Sequence, residues 1–396
     1  MKVVVKGRFR DLLAFFLLRR ERKRRFRRAR PRQIEVGAMN VLTARLHPRA
    51  LHLVVLEVRD ETEDAKTFRL GRADGGSLPN FRPGQYISLK VSVDGISVTR
   101  PYSLSSAPAD AVGSGFYEIT IRRKEGGFFT PLVWETWEKG TAVTSSGPLG
   151  AFYYEPLRDG HDLIFIAGGC GITPYRSLVP GILDAHPSTC IKLFYGITDP
   201  SDVLFKEYFD DLADRSEGRF SVTYVNSGEA KPDWKCEAGL ITRGVVLRSI
   251  ENYSGHTFFA CGPEGMYHHL RQEFTDLPPG RFRIEAPGDS RDVIAREDYP
   301  TGTDGSSFGI EVLVGGQSRT VDGLANETVL VAIERAGLAP PSECRSGECG
   351  YCRSKLVSGE IYVISENDGR RLADRKFGFF HPCSSYPLTD LKISVP

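Results

Sequence analysis

The spacing of four cysteines constrains this chain more than any other feature. Cys344, Cys349 and Cys352 form a C-x4-C-x2-C run, and Cys383 arrives from a segment further along. Three thiolates on one loop and a fourth from a distant segment is the ligand arrangement of a [2Fe–2S] cluster. The loop Cys344-Arg-Ser-Gly-Glu-Cys349-Gly-Tyr-Cys352 contains Ser346, Gly347 and Gly350, small residues that let the backbone curl round a group and aim N–H donors at sulfur. Structural zinc is usually drawn to paired C-x2-C knuckles, and here only one such pair occurs. His381 is read as a surface residue, because four thiolates already complete the ligand set. A cluster of this kind moves one electron at a time, which directs attention to electron transfer.

A chain of 396 residues suggests roughly two to four domains. Its 40% hydrophobic content and 41 glycines suit a folded, loop-rich protein. No apolar run approaches the roughly 20 residues of a membrane span. Residues 1–32 hold 14 Lys and Arg against Asp11 and Glu21, a net charge of +12, which leaves 38 basic and 48 acidic residues in the remainder. Cys170, Cys190, Cys236 and Cys261 follow no pairing pattern. Thiolate ligation of iron needs reduced cysteines, so a cytoplasmic setting is expected.

After a basic extension over 1–44, short alternating runs at Leu51-His-Leu-Val-Val-Leu-Glu-Val, Tyr86-Ile-Ser-Leu-Lys-Val-Ser-Val and Tyr117-Glu-Ile-Thr-Ile-Arg predict an antiparallel β-barrel over 45–157. From 158 to 286, continuous apolar runs such as Leu163-Ile-Phe-Ile-Ala alternate with helical stretches, predicting an α/β domain with a parallel sheet. Residues 287–306, rich in Pro, Gly, Asp and Ser, read as a flexible linker that lets the last domain swing. A compact pattern fills 307–396: a strand, a Gly315-Gly316 hairpin turn, a second strand, then a helix from about Glu327 capped by Asn326.

Several motifs stand in a telling order. Arg100-Pro101-Tyr102-Ser103 lies in the barrel segment, between Phe81-Arg-Pro-Gly-Gln-Tyr and Gly147-Pro-Leu-Gly-Ala-Phe152. Gly127-Phe128-Phe129-Thr130 follows it, then Gly168-Gly169-Cys170-Gly171-Ile172-Thr173-Pro174 at a strand–helix junction, and Cys261-Gly262-Pro263-Glu264 after another strand. An Arg fork suits phosphate oxygens, and glycines at a helix start let a pyrophosphate approach the backbone. In this order the motifs resemble the ferredoxin–NADP reductase-like flavoproteins, here fused to a C-terminal plant-type [2Fe–2S] ferredoxin of the α+β β-grasp fold. Reductase components of multicomponent oxygenases and of phenylacetyl-CoA epoxidase-like systems share the arrangement, and the resemblance covers residues 45–396.

That resemblance implies FAD rather than FMN. Arg100 and Pro101 would hold the flavin pyrophosphate side, Tyr102 would lie against the isoalloxazine and Ser103 near its reactive nitrogen. Gly127 and Thr130 would contact flavin phosphate. Gly168, Gly169 and Gly171 would receive the nicotinamide cofactor, Thr173 would approach the flavin, and Cys261, Gly262 and Pro263 would flank the nicotinamide, with Cys261 packing rather than attacking. Catalytic positions are therefore expected at Tyr102, Ser103, Thr173 and Cys261. Asp199, where NADPH-using relatives commonly place Arg, points to NADH over NADPH.

The implied activity is an NAD(P)H-dependent oxidoreductase that passes electrons from hydride through FAD to the cluster and on to a partner metalloenzyme, such as a terminal oxygenase or demethylase. A stand-alone diaphorase using small acceptors and a redox-sensing iron–sulfur flavoprotein are the competing classes. Two readings stand for residues 1–32: peripheral contact with an anionic membrane or an acidic redox partner, or a solvated extension. Nucleic acid is not an expected partner, since the body is acidic and no interleaved aromatic platform occurs.

Overall fold

The structure is a computed structural model and describes residues 7–28, 37–46, 48, 50–93, 95–127, 129–229, 234, 236–285, 293–303, 305–365 and 368–396. Contacts divide the chain into two units, Met1–Arg45 and Leu46–Pro396. The first contains helix α1 (Arg8–Arg28), and helix α2 (Ala38–Leu46) reaches its end. Phe15, Phe16, Leu17 and Leu18 are each more than half exposed. Four consecutive helical residues point round the axis rather than along one stripe. Among the described residues no helix is long and apolar enough to cross a membrane.

The second unit begins with strands β1 (Leu51–Asp60), β2 (Ala65–Arg72), β3 (Tyr86–Val93), β4 (Ile96–Ser103), β5 (Phe116–Arg122) and β6 (Ala142–Ser145), in sheet order β4-β3-β6-β1-β2-β5. All pairings are antiparallel. A bridge from Leu104 to Ile119 joins the two ends and closes the sheet into a barrel. Alternation in β1 sends Leu51, Leu53 and Val55 inward, where they meet Phe68, Ile87, Leu89 and Ile119. Helix α3 (Phe129–Thr136) buries Phe129 and Val133 on this core.

A short helix α4 (Pro156–Asp159) leads into strands β7 (Asp162–Gly168), β8 (Cys190–Ile197), β9 (Phe220–Asn226), β10 (Glu237–Ala238), β11 (Thr257–Cys261) and β12 (Phe282–Ile284). They form an all-parallel sheet in the order β10-β9-β8-β7-β11-β12. Both faces are covered, which is why β7 reads as an unbroken apolar run. Leu163 and Phe165 meet α5 (Thr173–Ala185) and α6 (Lys206–Arg215), while Ile164 and Ile166 meet α7 (Arg243–Leu247) and α8 (Glu264–Glu273).

In the C-terminal part, β13 (Ser307–Val314) and β14 (Gln317–Leu324) form a hairpin whose two turn residues, Gly315 and Gly316, have φ of 56° and 82°. Positive φ at both central positions is the demand of a two-residue hairpin turn, and it explains the glycine pair. Helix α9 (Val329–Arg335) packs Val329, Ala332 and Ile333 on Ile310, Val312 and Ile393. Its cap is Thr328, whose hydroxyl accepts from Val331 N at 3.3 Å, and not the expected Asn326. The remaining elements are β15 (Ser354–Ser358), β16 (Ile361–Val363), α10 (Leu372–Lys376), β17 (Phe379–Phe380), β18 (Ser385–Pro387) and β19 (Leu391–Ser394). The main sheet runs β14-β13-β19-β15-β17, beside a two-stranded β16-β18 sheet.

The expected flexible linker needs correction. Residues 287–292 and 304 lie outside the described residues, as do 1–6 and 29–36 of the basic extension. In the rest of the linker stretch, Val293 and Tyr299 are buried among Tyr362, Ile364 and Tyr386, and Tyr299 Oη donates to Ala325 O at 2.9 Å. Two apolar anchors hold a segment whose average composition reads as unstructured.

Candidate active site

One cavity of about 860 Å³ collects residues from all three parts of the second unit. The barrel supplies Tyr86, Pro101, Tyr102 and Ser103, the parallel-sheet part supplies Gly168, Gly169, Gly171, Thr173, Cys261, Gly262, Pro263 and Glu285, and the C-terminal part supplies Cys344, Ser346 and Glu348. The convergence follows from topology. β4 ends at Ser103, while β7 and β11 end at Gly168 and Cys261, so the carboxyl ends of parallel strands open toward one barrel rim, where ligands of α/β sheets bind.

On the barrel side, Tyr102 stacks on Phe129 at 5.9 Å with planes 25° apart, and burial raises its phenol pKa. Arg100 does not line the cavity. Its Nη1 donates to Thr99 O at 2.8 Å, and its guanidinium lies 5.9 Å from the Phe129 ring, beside the start of α3. Gly127 and Thr130 also lie off the cavity wall, and the Thr130 hydroxyl accepts from Lys124 N at 2.8 Å, closing the loop before α3.

The glycines of the second motif divide by task. A Cβ on Gly171 would sit 2.1 Å from Cys261 O, and one on Gly168 would meet Met266 Sδ at 2.8 Å and Pro263 Cδ at 2.9 Å. These two glycines let the β7 and β11 turns pack together. Gly169, at φ 53°, has nothing within 4 Å of that position, so its side leaves room for a ligand phosphate. Thr173 Oγ1 donates to Cys170 O at 2.8 Å at the start of α5.

The residue that sequence reasoning missed is Glu285. Ser103 Oγ donates to its Oε1 at 3.0 Å and Cys261 Sγ donates to its Oε2 at 2.9 Å, so one carboxylate ties two motif residues from different domains. Tyr267 Oη donates to Glu285 O at 2.8 Å and accepts from Gly262 N at 2.9 Å. Burial pushes Glu285 above the usual carboxylate range, opposed by the bonds from Cys261 and Ser103. Burial, then the Glu285 charge, hold Cys261 well above its ordinary value, as a thiol and not a thiolate nucleophile. The only sequence signal for Glu285 is its position just after β12.

At the far end, Asp199 is not among the lining residues. Its Oδ1 accepts from Ser201 N at 2.8 Å and Ser201 Oγ at 2.6 Å. Asp202 lines the wall instead and pairs with Arg122, which also binds Asp64 at 2.7 and 2.8 Å.

The cysteine loop fits a two-iron cluster. Cys352 Sγ lies 3.4 Å from Cys383 Sγ. Backbone N–H groups of Ser346 and Cys349 point at Cys344 Sγ at 3.4 and 3.5 Å, and that of Tyr351 at Cys349 Sγ at 3.4 Å. Among the described residues no group of three or more His, Cys, Asp or Glu closes round a single metal ion. An all-thiolate set with N–H donors on sulfur is the chemistry of an iron–sulfur cluster. His381 is buried, with 2% of its surface exposed, and its Nδ1 lies 2.7 Å from Gly347 O. The surface reading of His381 is therefore wrong: it braces the loop from behind. The loop also reaches the barrel, since Ser88 Oγ donates to Glu343 O at 2.9 Å.

Comparison with known proteins agrees part by part. Residues 52–154 match the oxidoreductase FAD-binding domain, 165–272 the oxidoreductase NAD-binding domain, and 312–388 the 2Fe-2S iron-sulfur cluster binding domain. The chain is 27% identical over 373 residues to the glycine betaine monooxygenase reductase subunit of Pseudomonas aeruginosa strain UCBPP-PA14, covering 90% of this chain and 98% of that one. It is 27% identical over 356 residues to a subunit of the 1,2-phenylacetyl-CoA epoxidase of Escherichia coli K12, covering 85% and 95%. The solved structure of phthalate dioxygenase reductase shares the fold, with a TM-score of 0.59 at 22% identity over 87% of this chain and 97% of that one.

Proposed function

The chain belongs to the ferredoxin–NADP reductase-type flavoproteins that carry a C-terminal [2Fe–2S] ferredoxin domain, and from that premise we propose that it delivers electrons from NADH to a partner metalloenzyme of the oxygenase or demethylase class. The supporting observation is the shared cavity: Tyr102, Ser103, Thr173, Cys261 and Glu285 face the same space as Cys344 and Ser346. When bound, FAD takes two electrons as hydride and releases them singly, and a [2Fe–2S] cluster carries one.

The chain's own residues then have distinct tasks. Tyr102 covers the flat ring and excludes water, with Phe129 behind it. Ser103 and Cys261, joined through Glu285, would hold the flavin from the barrel side and the nicotinamide from the β11 side. Gly169 and the start of α5 receive a pyrophosphate, and Arg100 beside α3 meets the flavin phosphates. Because the cysteine loop already walls the cavity, a cluster held by that loop would lie beside the flavin site with the last domain in this arrangement.

Replacing Cys344 by Ala is expected to abolish NADH-driven reduction of cytochrome c while dichlorophenolindophenol reduction continues near the parent rate. Retained cytochrome c reduction would rule out delivery through the cluster and favour a diaphorase. NADH is expected to exceed NADPH by roughly tenfold in kcat/KM, about 1.4 kcal/mol, because Asp199 and Asp202 follow β8, and Arg122, which lines the same wall, is engaged by Asp202 and Asp64. Equal or better use of NADPH would overturn that preference, and an Asp202→Arg variant reports whether this residue sets it. For residues 1–32 the proposed role is electrostatic contact with an anionic membrane or an acidic redox partner, carried by charge. Vesicle sedimentation of the chain with and without the arm tests the membrane contact.

A further inference from the structure

We propose that the outer face of the ferredoxin domain around α10 is where the electron acceptor docks, and that it selects an acidic partner surface. This rests on the electron-delivery reading above. The cysteine loop touches the flavin cavity on one side and the barrel through Ser88 and Glu343, so an outside partner must approach the cluster from another direction.

The segment 368–377, Asp-Gly-Arg-Arg-Leu-Ala-Asp-Arg-Lys-Phe, meets that loop at Gly369. A Cβ on Gly369 would sit 2.3 Å from Gly347 O and 3.1 Å from Glu348 Cα, so only glycine permits this approach. Arg353, the residue after Cys352, pairs with Asp374 at 2.5 Å. A partner seated on α10 therefore sits on a segment that touches the cysteine loop at Gly347 and Glu348 and is tied by Asp374 to the residue after Cys352.

The charge here opposes that of the molecule. Residues 33–396 carry 38 basic and 48 acidic residues, yet this face holds Arg353, Arg370, Arg371, Arg375 and Lys376 against Asp368 and Asp374. Both acids are engaged within the face: Asp368 takes Arg370 at 2.8 Å and Arg375 at 3.2 Å, and Asp374 takes Arg353. The surplus is positive. Amid it Leu372, Phe377 and Tyr351 are 86%, 58% and 54% exposed. Apolar anchors inside a charged rim are the anatomy of a transient protein interface, and the sign of the rim chooses the partner's sign.

The test uses the full-length holoprotein with two acceptors of one haem: native cytochrome c, rich in lysine, and its succinylated, acidic form. At low ionic strength the succinylated form is expected to be reduced with about tenfold higher kcat/KM, the gap closing in about 0.5 M salt. The double variant Arg371→Glu/Lys376→Glu should reverse the order, with NADH-dependent dye reduction and the visible spectrum unchanged. The basic arm is untouched in that variant, so a reversal belongs to this face. Preference for native cytochrome c, or a ratio that the variant leaves unmoved, overturns the proposal. So does a concentration-dependent self-association that the variant abolishes, which would make a second copy the occupant. If dye is reduced and neither cytochrome is, the electron-delivery reading fails and takes this proposal with it. If both are reduced alike, only the docking face fails.

Discussion

Glu285→Gln is expected to slow NADH-driven flavin reduction by about 100-fold, with the KM for NADH nearly unchanged. The parent carboxylate accepts from Ser103 at one oxygen and from Cys261 at the other. An amide keeps one acceptor and turns a donor toward the second partner, so one of the two ties must reverse its direction and the group at that end reorients away from its place. Misplacement of that kind acts on the rate of the hydride step more than on binding.

The same substitution should stabilise the fold, and the sign follows from the direction of the pKa shift. Burial raises Glu285 in the folded state. Its protonated form is thus favoured on folding, and that stabilisation is fully present below the ordinary carboxylate pKa and lost as pH rises through the folded value. At about pH 8 the parent carries the cost of a buried carboxylate that the amide lacks. The variant is expected to melt higher than the parent at about pH 8 and level with it at about pH 4. Stopped-flow reduction and calorimetry at the two pH values measure both effects. A variant that is fully active would show that Glu285 does not position the site.

Arg345→Met is expected to destabilise the ferredoxin domain by about 3–5 kcal/mol and to lose the cluster. Arg345 sits inside the cysteine loop at φ 57°, 2% exposed, and pairs with Glu334 of α9 at 2.7 Å. Without this arginine the Glu334 carboxylate stays buried without this counter-charge. The disturbance reaches the ligands, because Leu330 of α9 packs against Cys352 and Cys383. Adding Glu334→Met should recover much of the loss, since a buried ion pair replaced whole by apolar side chains is often neutral. Calorimetric melting and the visible cluster absorbance are the readouts. A single variant that melts within about 1 kcal/mol of the parent would mean the pair is not a structural lock.

Some features are legible in the sequence because they are local. The cysteine spacing, the Gly315-Gly316 turn and the apolar run of β7 each state their chemistry within a few residues. The acidic residue that reaches the cavity comes three positions later than local residues suggest: Asp199 caps its own loop through Ser201, while Asp202 lines the wall. Thr328 rather than Asn326 caps α9, because the chain enters that helix two residues later than its polar run suggests. His381 reads as superficial beside four thiolates, and it is buried because the loop at Gly347 needs an N–H partner behind it.

The sequence by itself determined the kinds of cofactor and the order of the domains, since ligand spacing and glycine turns are written in consecutive residues. Only the tertiary structure decided how the parts meet. Glu285 joining Ser103 to Cys261, Ser88 receiving the loop at Glu343, and a basic face folded onto the cysteine loop all bring together residues far apart in the chain. Nothing local foretells such contacts: they arise when separate cores have packed and their buried polar groups have had to find partners across the seam.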